Sequence, residues 1–223
     1  AAINTLGVLY VVQRNDSKSG ELASIKDLKG KTIAITGQGS TPEFALKYLL
    51  TQNGIDPDKD LTIEYKTEHS ELAALLAGGK VDIAMLPEPF VTQVTGKGDI
   101  AVKLDLNKEW EAVSNNVPLA MGAIIVRKDF AIENKAAFDQ FLVEYKASAD
   151  FANTHIDETA KLVSKFEIMP EAVAKKALPK CNIVFIDGDE MQEACNQLLN
   201  ILASANIKAV GGKIPDDEFY YKK

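Results

Sequence analysis

Lys31-Thr-Ile-Ala-Ile35 opens the stretch of sequence that decides the fold. Three similar segments follow it: Leu61-Thr-Ile-Glu-Tyr-Lys66, Val81-Asp-Ile-Ala-Met85 and Ile100-Ala-Val-Lys-Leu104. Each is short, β-branched and bounded by glycine, aspartate or proline, which is typical of strands in a covered sheet. Between them, leucines recur at helical spacing in runs that end at glycine. This alternation over residues 31–104 predicts an α/β fold with a parallel sheet and right-handed crossovers.

The rest of the chain has a mostly helical pattern. The predicted helices cover residues 133–153, 157–166, 170–178 and 189–205. A single further strand is predicted at residues 183–186. We therefore expect a second region, joined to the first by two apolar segments, residues 8–13 and 122–127, that run side by side as connecting strands.

The composition excludes several classes of protein. Of the 223 residues, 46% are hydrophobic and 26% charged, which excludes a disordered polymer and a membrane bundle. The net charge of −7 argues against nucleic acid as a partner, because phosphates require a basic face. Cys181 and Cys195 fit neither a zinc ribbon nor a redox motif, so we expect free thiols, with a disulfide as the alternative. The chain opens at Ala1 inside an apolar segment, which predicts a processed or trimmed polypeptide.

Polar loops follow the first three predicted strands. They are Thr36-Gly37-Gln38-Gly39-Ser40-Thr41-Pro42-Glu43, then Thr67-Glu68-His69-Ser70, and then Leu86-Pro87-Glu88-Pro89. Ligands of open α/β sheets bind at the carboxyl ends of the strands. We therefore expect the three loops to converge on a ligand site.

The first loop indicates the class of ligand. Its glycines let the backbone approach a ligand, and the start of the following helix offers free N–H groups. Pro42 stands where a dinucleotide motif needs its third glycine, so no nucleotide is expected. Pro42 also lacks an N–H and Glu43 is anionic, which favours a polar or weakly anionic ligand. The alternative is that Ser40 and Glu43 form a capping box and only start the helix.

Two further candidates have competing interpretations. Glu88 lies between two prolines that could hold its carboxylate in a cleft, or it could simply belong to a turn at the strand end. His69 could contact a ligand, or it could belong to a helix start capped by Ser70. Catalytic motifs are absent from the sequence, which has only two histidines. We predict no catalytic residue, no metal site and no cofactor, and therefore a binding module.

The chain resembles the solute-binding proteins of ABC importers, in particular the group for alkanesulfonates, taurine, nitrate or thiamine-pyrimidine precursors. The resemblance is carried by Asp27-Leu-Lys-Gly-Lys-Thr-Ile-Ala-Ile35, Gly39-Ser-Thr-Pro-Glu43 and Val81-Asp-Ile-Ala-Met-Leu-Pro-Glu-Pro-Phe90, and extends to Cys181-Asn-Ile-Val-Phe-Ile-Asp-Gly188. It implies the type II periplasmic-binding-protein fold, in which two α/β lobes joined by hinge strands close on a solute.

The resemblance also implies a division of the chain and a set of site residues. Residues 1–13 would be a first-lobe remnant and hinge, residues 14–121 the second lobe, and residues 122–223 a hinge strand and the helical part of the first lobe. About a hundred residues of the family pattern have no counterpart before Ala1, so we expect an incomplete first lobe with exposed apolar surface. With His69 added from the loop argument, the expected ligand-binding residues are Asn4, Thr5, Thr36, Gly39, Ser40, Thr41, His69, Pro87 and Glu88.

The function implied by the resemblance is capture of a small polar or weakly anionic organic solute, such as a sulfonate or a pyrimidine precursor, by lobe closure. The expected partner is an ABC permease, and the expected location is extracytoplasmic, either periplasmic or as a lipid-anchored lipoprotein. We expect a monomer without enzymatic activity. The alternatives are a cytosolic effector-binding domain of a transcriptional regulator and a thiamine-pyrimidine-synthase-like enzyme, whose cysteine-rich motif is absent here.

Overall fold

The computed structural model describes residues 1–96 and 98–222. Its strands are β1 (Ala2–Thr5), β2 (Leu9–Arg14), β3 (Thr32–Ile35), β4 (Thr62–Tyr65), β5 (Ile83–Pro87), β6 (Ile100–Asp105), β7 (Gly122–Ile124) and β8 (Ile183–Asp187). Its helices are α1 (Thr41–Gln52), α2 (His69–Ala77), α3 (Phe90–Thr95), α4 (Leu106–Val113), α5 (Lys128–Glu133), α6 (Lys135–Thr154), α7 (Ile156–Lys165), α8 (Glu171–Ala177) and α9 (Gly188–Ala205). The predicted α/β class is confirmed.

Five strands form the sheet of what we call the large lobe, in the order β4-β3-β5-β2-β6. The large lobe corresponds to the expected second lobe, and the small lobe described below corresponds to the expected first lobe. Strand β3 runs parallel to both β4 and β5, as the alternating pattern predicts. Strand β2, which the sequence analysis treats as a connecting strand, is antiparallel to both β5 and β6. Strands β5 and β6 therefore run in the same direction, so the four strands predicted within residues 31–104 are parallel to one another and β2 runs against them. The connection from β2 to β3, which the structure describes throughout, contains a single 3-10 turn, Ile25–Leu28, and lacks the crossover α-helix that makes successive strands of one sheet parallel.

Three strands form the sheet of the small lobe, in the order β7-β1-β8, with β1 antiparallel to both neighbours. The expectation that residues 8–13 and 122–127 run side by side is therefore wrong. Ile124 of β7 lies opposite Ala2 of β1, whereas β2 is an interior strand of the other sheet. Val11 and Val12 of β2 are completely buried on opposite faces of that sheet, which an exposed connecting strand would not allow. The chain passes between the lobes at residues 6–8 and 114–121.

The large lobe has an apolar layer on each face of its sheet. Ile33 and Ile35 of β3 pack with the leucines of α1, while Ala34 faces the opposite layer beneath α2 and α3. This is the period-2 alternation of a strand covered on both sides. Helix α4, which the sequence pattern does not reveal, buries Trp110 completely, and the indole N–H donates to the carbonyl oxygen of Val117 at 2.8 Å.

Helix α9 contacts both lobes. Met191 and Ala194, near its start, pack with Ile3 of β1 in the small lobe. Leu198 and Leu202, two and three turns further along, belong to the hydrophobic core of the large lobe. One continuous helix therefore connects the two hydrophobic cores.

The small lobe exposes extensive apolar surface, as expected for an incomplete lobe. Ile125 is 85% exposed, and Ile132 and Phe166 are each 68% exposed. Within the described part of the chain, β7 pairs on one side only, with β1. A groove of about 440 Å³ beside β7 is lined by side chains that include Ile125, Phe130 and Phe141. In the large lobe, by contrast, the exposed large apolar side chain is Val102 on β6.

Candidate functional site

The three polar loops of the large lobe meet at His69. Its Nδ1 lies 2.6 Å from the hydroxyl oxygen of Thr36, the residue directly after β3. Its ring centroid lies 5.4 Å from that of Phe90, which starts the helix after the third loop. The predicted convergence of the loops at the carboxyl ends of β3, β4 and β5 is thus made by direct contacts.

The glycine-rich loop before α1 differs from a capping box. The hydroxyl of Ser40 donates to the carbonyl oxygen of Gly37 at 2.6 Å, and no side chain in the described ranges caps α1 at Ser40. Glu43 reaches back to the N–H of Gly39 at 2.6 Å, one residue before the predicted partner. Gly37 and Gly39 have φ values of +76° and +75°, which favour glycine, and this backbone turns Ser40 away from the helix start. The capping-box expectation is therefore wrong, and the first turn of α1 has N–H groups without a side-chain cap.

Glu43 is nevertheless buried and fully engaged. Besides Gly39, its carboxylate accepts a hydrogen bond from the hydroxyl of Tyr65 at 2.7 Å and forms an ion pair with Lys47 at 3.0 Å. Burial alone would favour the protonated acid, but these hydrogen bonds and the lysine outweigh it and lower the pKa of Glu43. The carboxylate is therefore charged at neutral pH and fixes the loop to α1 and β4.

His69 is the first residue of α2, and Glu68 occupies the N-cap position. The alternative interpretation, in which Ser70 caps the helix, is therefore wrong. The helix starts earlier, and the imidazole turns toward β3 instead of toward its own helix. Burial lowers the pKa of His69, and the nearby charge of Glu68 opposes this shift in part. The ring is therefore neutral at neutral pH.

Glu88 points into the large lobe. Its side chain is completely buried, and its two carboxylate oxygens accept hydrogen bonds from the backbone N–H (3.1 Å) and the hydroxyl (3.0 Å) of Thr92. The carboxylate therefore accepts a hydrogen bond from a backbone N–H group in the first turn of α3. Lys180 of the small lobe approaches it to 4.0 Å, so Glu88 also marks where the two lobes meet. Pro87, at the end of β5, is half-buried beside it and pairs with Leu9.

Asn4 and Thr5 lie in the small lobe at the end of β1. The Thr5 hydroxyl donates to Oδ1 of Asn4 at 3.2 Å, and Nδ2 of Asn4 donates to the hydroxyl of Tyr145 at 3.0 Å. Gly122 on the paired strand leaves room for both, because a Cβ there would collide with Asn4 and lie 3.0 Å from Oγ1 of Thr5. Tyr145 is a polar residue of this wall that the sequence analysis missed. Its position after Phe138 and Phe141 on α6 resembles an ordinary apolar stripe.

Both cysteines are free, as the sequence analysis favours. Cys181 follows Lys180 at the junction between the lobes. Burial, assisted by the negative charge of Glu88, raises the pKa of its thiol to about 11. Burial also raises the pKa of Cys195. Neither thiol is a nucleophile at neutral pH.

A family described as the periplasmic substrate-binding protein of a phosphonate ABC transporter matches residues 4–176. The chain belongs to this family. The resemblance stated from the sequence is thereby confirmed, and this periplasmic substrate-binding protein is a component of an ABC importer. The chain has no match among curated proteins.

Solved structures share the fold of this substrate-binding protein. An ABC transporter protein from Parabacteroides distasonis is 22% identical with a TM-score of 0.74, and the match covers 100% of this chain and 73% of that one. The periplasmic aliphatic sulphonate-binding protein of Escherichia coli is 17% identical with a TM-score of 0.71, over 94% of this chain and 67% of the other. The alkanesulfonate-binding protein of Xanthomonas axonopodis pv. citri, bound to MOPS, is 17% identical with a TM-score of 0.68, over 96% and 68%. These neighbours are longer than this chain, which agrees with the incomplete small lobe.

Location is indicated by the family, which is periplasmic. Across residues 1–96 and 98–222, no helix combines the length and the apolar character needed to cross a bilayer.

Proposed function

We propose that the solute of this substrate-binding protein is a small organic molecule with a monoanionic head group, such as a sulfonate. The family description names phosphonate, and two of the structural neighbours are sulfonate-binding proteins. All of these head groups are tetrahedral oxyanions. A pyrimidine precursor remains the less favoured candidate, because none of these descriptions names one.

The observation that carries the proposal is the uncapped start of α1. The N–H groups of its first turn have no side-chain acceptor from Ser40, and the helix dipole adds partial positive charge there. Pro42 removes one of these donors, and Glu43 places a buried negative charge in the same turn. These two features favour a single negative charge on the solute over the double charge of a phosphonate.

We propose roles for the remaining residues, and the positions of their side chains support these roles. Thr36, Gly39, Ser40, Thr41 and His69 form the wall of the large lobe. Asn4 and Thr5, held by Tyr145, form the facing wall of the small lobe, and Pro87 shapes the floor between them. Glu88 acts indirectly, by holding the start of α3, since its buried carboxylate is bonded to Thr92.

The proposed mechanism is closure of the two lobes on the solute, followed by delivery to a membrane permease. We place the lobe boundaries at the two crossings, residues 6–8 and 114–121, instead of at residues 13 and 121, because β2 lies inside the large-lobe sheet. We propose that the protein acts outside the cytoplasm as a monomeric binding component without enzymatic activity, either free in the periplasm or anchored by lipid. The periplasmic family of transport components supports this assignment.

The test is to measure the binding of ethanesulfonate and of methylphosphonate by thermal shift and by calorimetry. A ligand at a hundredfold excess over its Kd stabilises the folded state by about 2.7 kcal/mol, which a melting curve resolves. Ser40→Asp should weaken ethanesulfonate binding at least tenfold, because it places a like charge beside the head group. Asn134→Asp, at the N-cap of α6, is the matched control and should leave binding unchanged.

Two results would contradict the proposal. One is binding of ethanesulfonate by the Ser40→Asp protein with wild-type affinity. The other is a strong preference of the wild-type protein for methylphosphonate at a pH where that ligand carries two negative charges.

A further inference from the structure

The imidazole of His69 is the point where three elements of the cleft wall touch. It starts α2, bonds to Thr36 at the end of β3, and stacks obliquely on Phe90 at the start of α3. Thr36 is directly followed by the glycine-rich loop that leads into α1. A change in the charge of this ring therefore changes the electrostatic potential at the position where the head group of the solute is proposed to bind.

Within residues 1–96 and 98–222, one of the two ring nitrogens of His69 has a hydrogen-bond partner. Nδ1 is paired with the hydroxyl of Thr36, which is itself buried, so the orientation of the ring is fixed. Among the residues that the structure describes, no protein group forms a hydrogen bond with Nε2. A fixed ring with one unpaired nitrogen can donate a hydrogen bond to an anion when it is protonated.

The surroundings of the ring contain few charges. The elements packed against it contribute Thr36 and Phe90, which are both uncharged, and the interacting charge is Glu68 on its own helix start. The carboxylates of the neighbouring loops, Glu43 and Glu88, are bonded elsewhere. Without a ligand, therefore, little compensates for burial, and the pKa of His69 lies below its usual value.

We propose that solute binding is coupled to proton uptake by His69, so that the affinity for an anionic solute rises as the pH falls. This inference rests on the proposed function, because an anion in the cleft is the group that stabilises the imidazolium. The coupling is reciprocal: if the anion favours the charged ring, the charged ring favours the anion by the same factor. Phe90 adds a second favourable contact, since the face of an aromatic ring attracts a cation.

The direction and range of the effect follow from this linkage. The ring is neutral at neutral pH and above, where the affinity is lowest. As the pH falls through the raised pKa of the complex, the affinity increases, and it levels off below the lowered pKa of the free protein. Tyr10 and Cys181, near the lobe junction, do not titrate in this range, since the pKa of Tyr10 is about 12 and that of Cys181 about 11. The amine of Ala1, whose pKa burial lowers, is bonded to Ile124 in the small lobe.

The decisive experiment is calorimetric titration with ethanesulfonate between about pH 5 and pH 8. This probe stays a monoanion throughout, so any pH dependence comes from the protein. For the wild-type protein we expect binding about tenfold tighter at the acidic end, which corresponds to a shift of one pKa unit, and uptake of protons from the buffer. His69→Gln should bind with an affinity that does not vary with pH. His155→Gln, which removes the other histidine, should behave like the wild-type protein and also controls for the amine of Ala1.

A second measurement does not depend on the variant folding correctly. Because the chain has two histidines, the imidazole C2 proton resonances can be assigned with the His155→Gln protein. Saturation with ethanesulfonate should raise the pKa of His69 and leave the resonance of His155 at the same position. Binding of ethanesulfonate without any change in the pKa of His69 would overturn the coupling and leave the proposed function standing. If neither ethanesulfonate nor methylphosphonate binds at any pH, the proposed function falls, and the coupling falls with it.

Discussion

The carboxylate of Glu43 accepts a hydrogen bond from the backbone N–H of Gly39 at 2.6 Å, across the turn that leads into α1. The same carboxylate contacts Tyr65 and Lys47, so a single side chain joins the loop to β4 and to the next turn of the helix. The shape of the loop therefore depends on Glu43 and not on the hydroxyl of Ser40. This arrangement leaves the start of the helix open to a ligand while holding the backbone in place.

Replacing Glu43 should destabilise the large lobe. Glu43→Ala removes the charged acceptor of two part-buried hydrogen bonds, from the Tyr65 hydroxyl and the Gly39 N–H, and we expect a loss of about 2–3 kcal/mol in the free energy of unfolding. Glu43→Gln keeps one acceptor and should cost roughly half as much. Urea denaturation, monitored by the fluorescence of Trp110, measures the free energy of unfolding of both variants. Glu64→Gln, at the exposed pair with Lys66, is the control and should change stability by less than about 0.5 kcal/mol.

The contribution of Glu43 should also depend on pH. Its pKa is lower in the folded protein than in the unfolded chain, so the folded state favours the charged form. The stabilisation is complete above the ordinary glutamate pKa of 4.5 and is lost as the pH falls through the lower value of the folded state. The stability difference between wild-type and Glu43→Gln proteins should therefore shrink as the pH falls from 4.5 toward the folded-state pKa and be smallest below it. A difference that stays constant down to the acid limit of folding would contradict the assignment.

Gly122 should be required for the arrangement of the small-lobe wall. A methyl group there collides with Asn4 and crowds Thr5, so Gly122→Ala should cost about 1–3 kcal/mol and break the hydrogen bond from Asn4 to Tyr145. Gly96→Ala is the matched control, because its nearest neighbours lie at an ordinary 3.5 Å and its φ is −61°. Thermal melts of the two variants measure the difference. Equal melting temperatures would show that the wall has more room than the structure indicates.

The apolar face of the small lobe should bind a hydrophobic dye such as ANS. Ile125 is the most exposed large apolar side chain and lines the groove beside β7, so Ile125→Ser should reduce the dye fluorescence. Val102→Ser, at the exposed apolar position on the large lobe, should leave the signal nearly unchanged. If both substitutions reduce the signal equally, the dye reports general loosening of the protein and not this groove.

Cys181 should react slowly with a thiol reagent. With a pKa of about 11, only about one thiol in a thousand is ionised at pH 8, since each unit corresponds to a factor of ten. Glu88→Gln removes the neighbouring negative charge and should accelerate labelling several-fold, measured in a Cys195→Ser background. Glu64→Gln in the same background is the control for a remote charge. An unchanged rate in the Glu88→Gln protein would show that burial alone protects the thiol.

The sequence predicted the parts of the fold that depend on local pattern. The segment at Ile33 and Ile35 alternates with period 2, and the helices carry leucines at helical spacing, so the class of the large lobe follows from neighbouring residues alone. The direction of β2 does not follow from its own residues. Val11 and Val12 indicate a buried strand, but which strands it joins depends on partners 70 or more positions away in the chain, such as Ile83 opposite Gln13.

The candidate site also has some features that follow from local sequence and others that depend on residues distant in the chain. The glycine-rich turn and the position of His69 after the loop that follows β4 can be predicted from the sequence, because chain order fixes which loops share an edge of the sheet. The partners of the side chains do not. Ser40 and Glu43 match the capping-box pattern, yet two glycines with positive φ turn the serine away. Tyr145 became recognisable only when the fold placed it against Asn4, 141 positions away in the chain.

Helix α9 affects how the protein unfolds. Its first turns belong to one hydrophobic cluster and its later turns to the other, and a helix propagates order along its axis because each added residue extends an existing hydrogen-bonded ladder. Melting of the small lobe would fray α9 from its start and strip Leu198 and Leu202 from the neighbouring core. We therefore expect the two lobes to unfold in one cooperative transition, because loss of packing around the start of α9 also removes its later turns from the core of the large lobe.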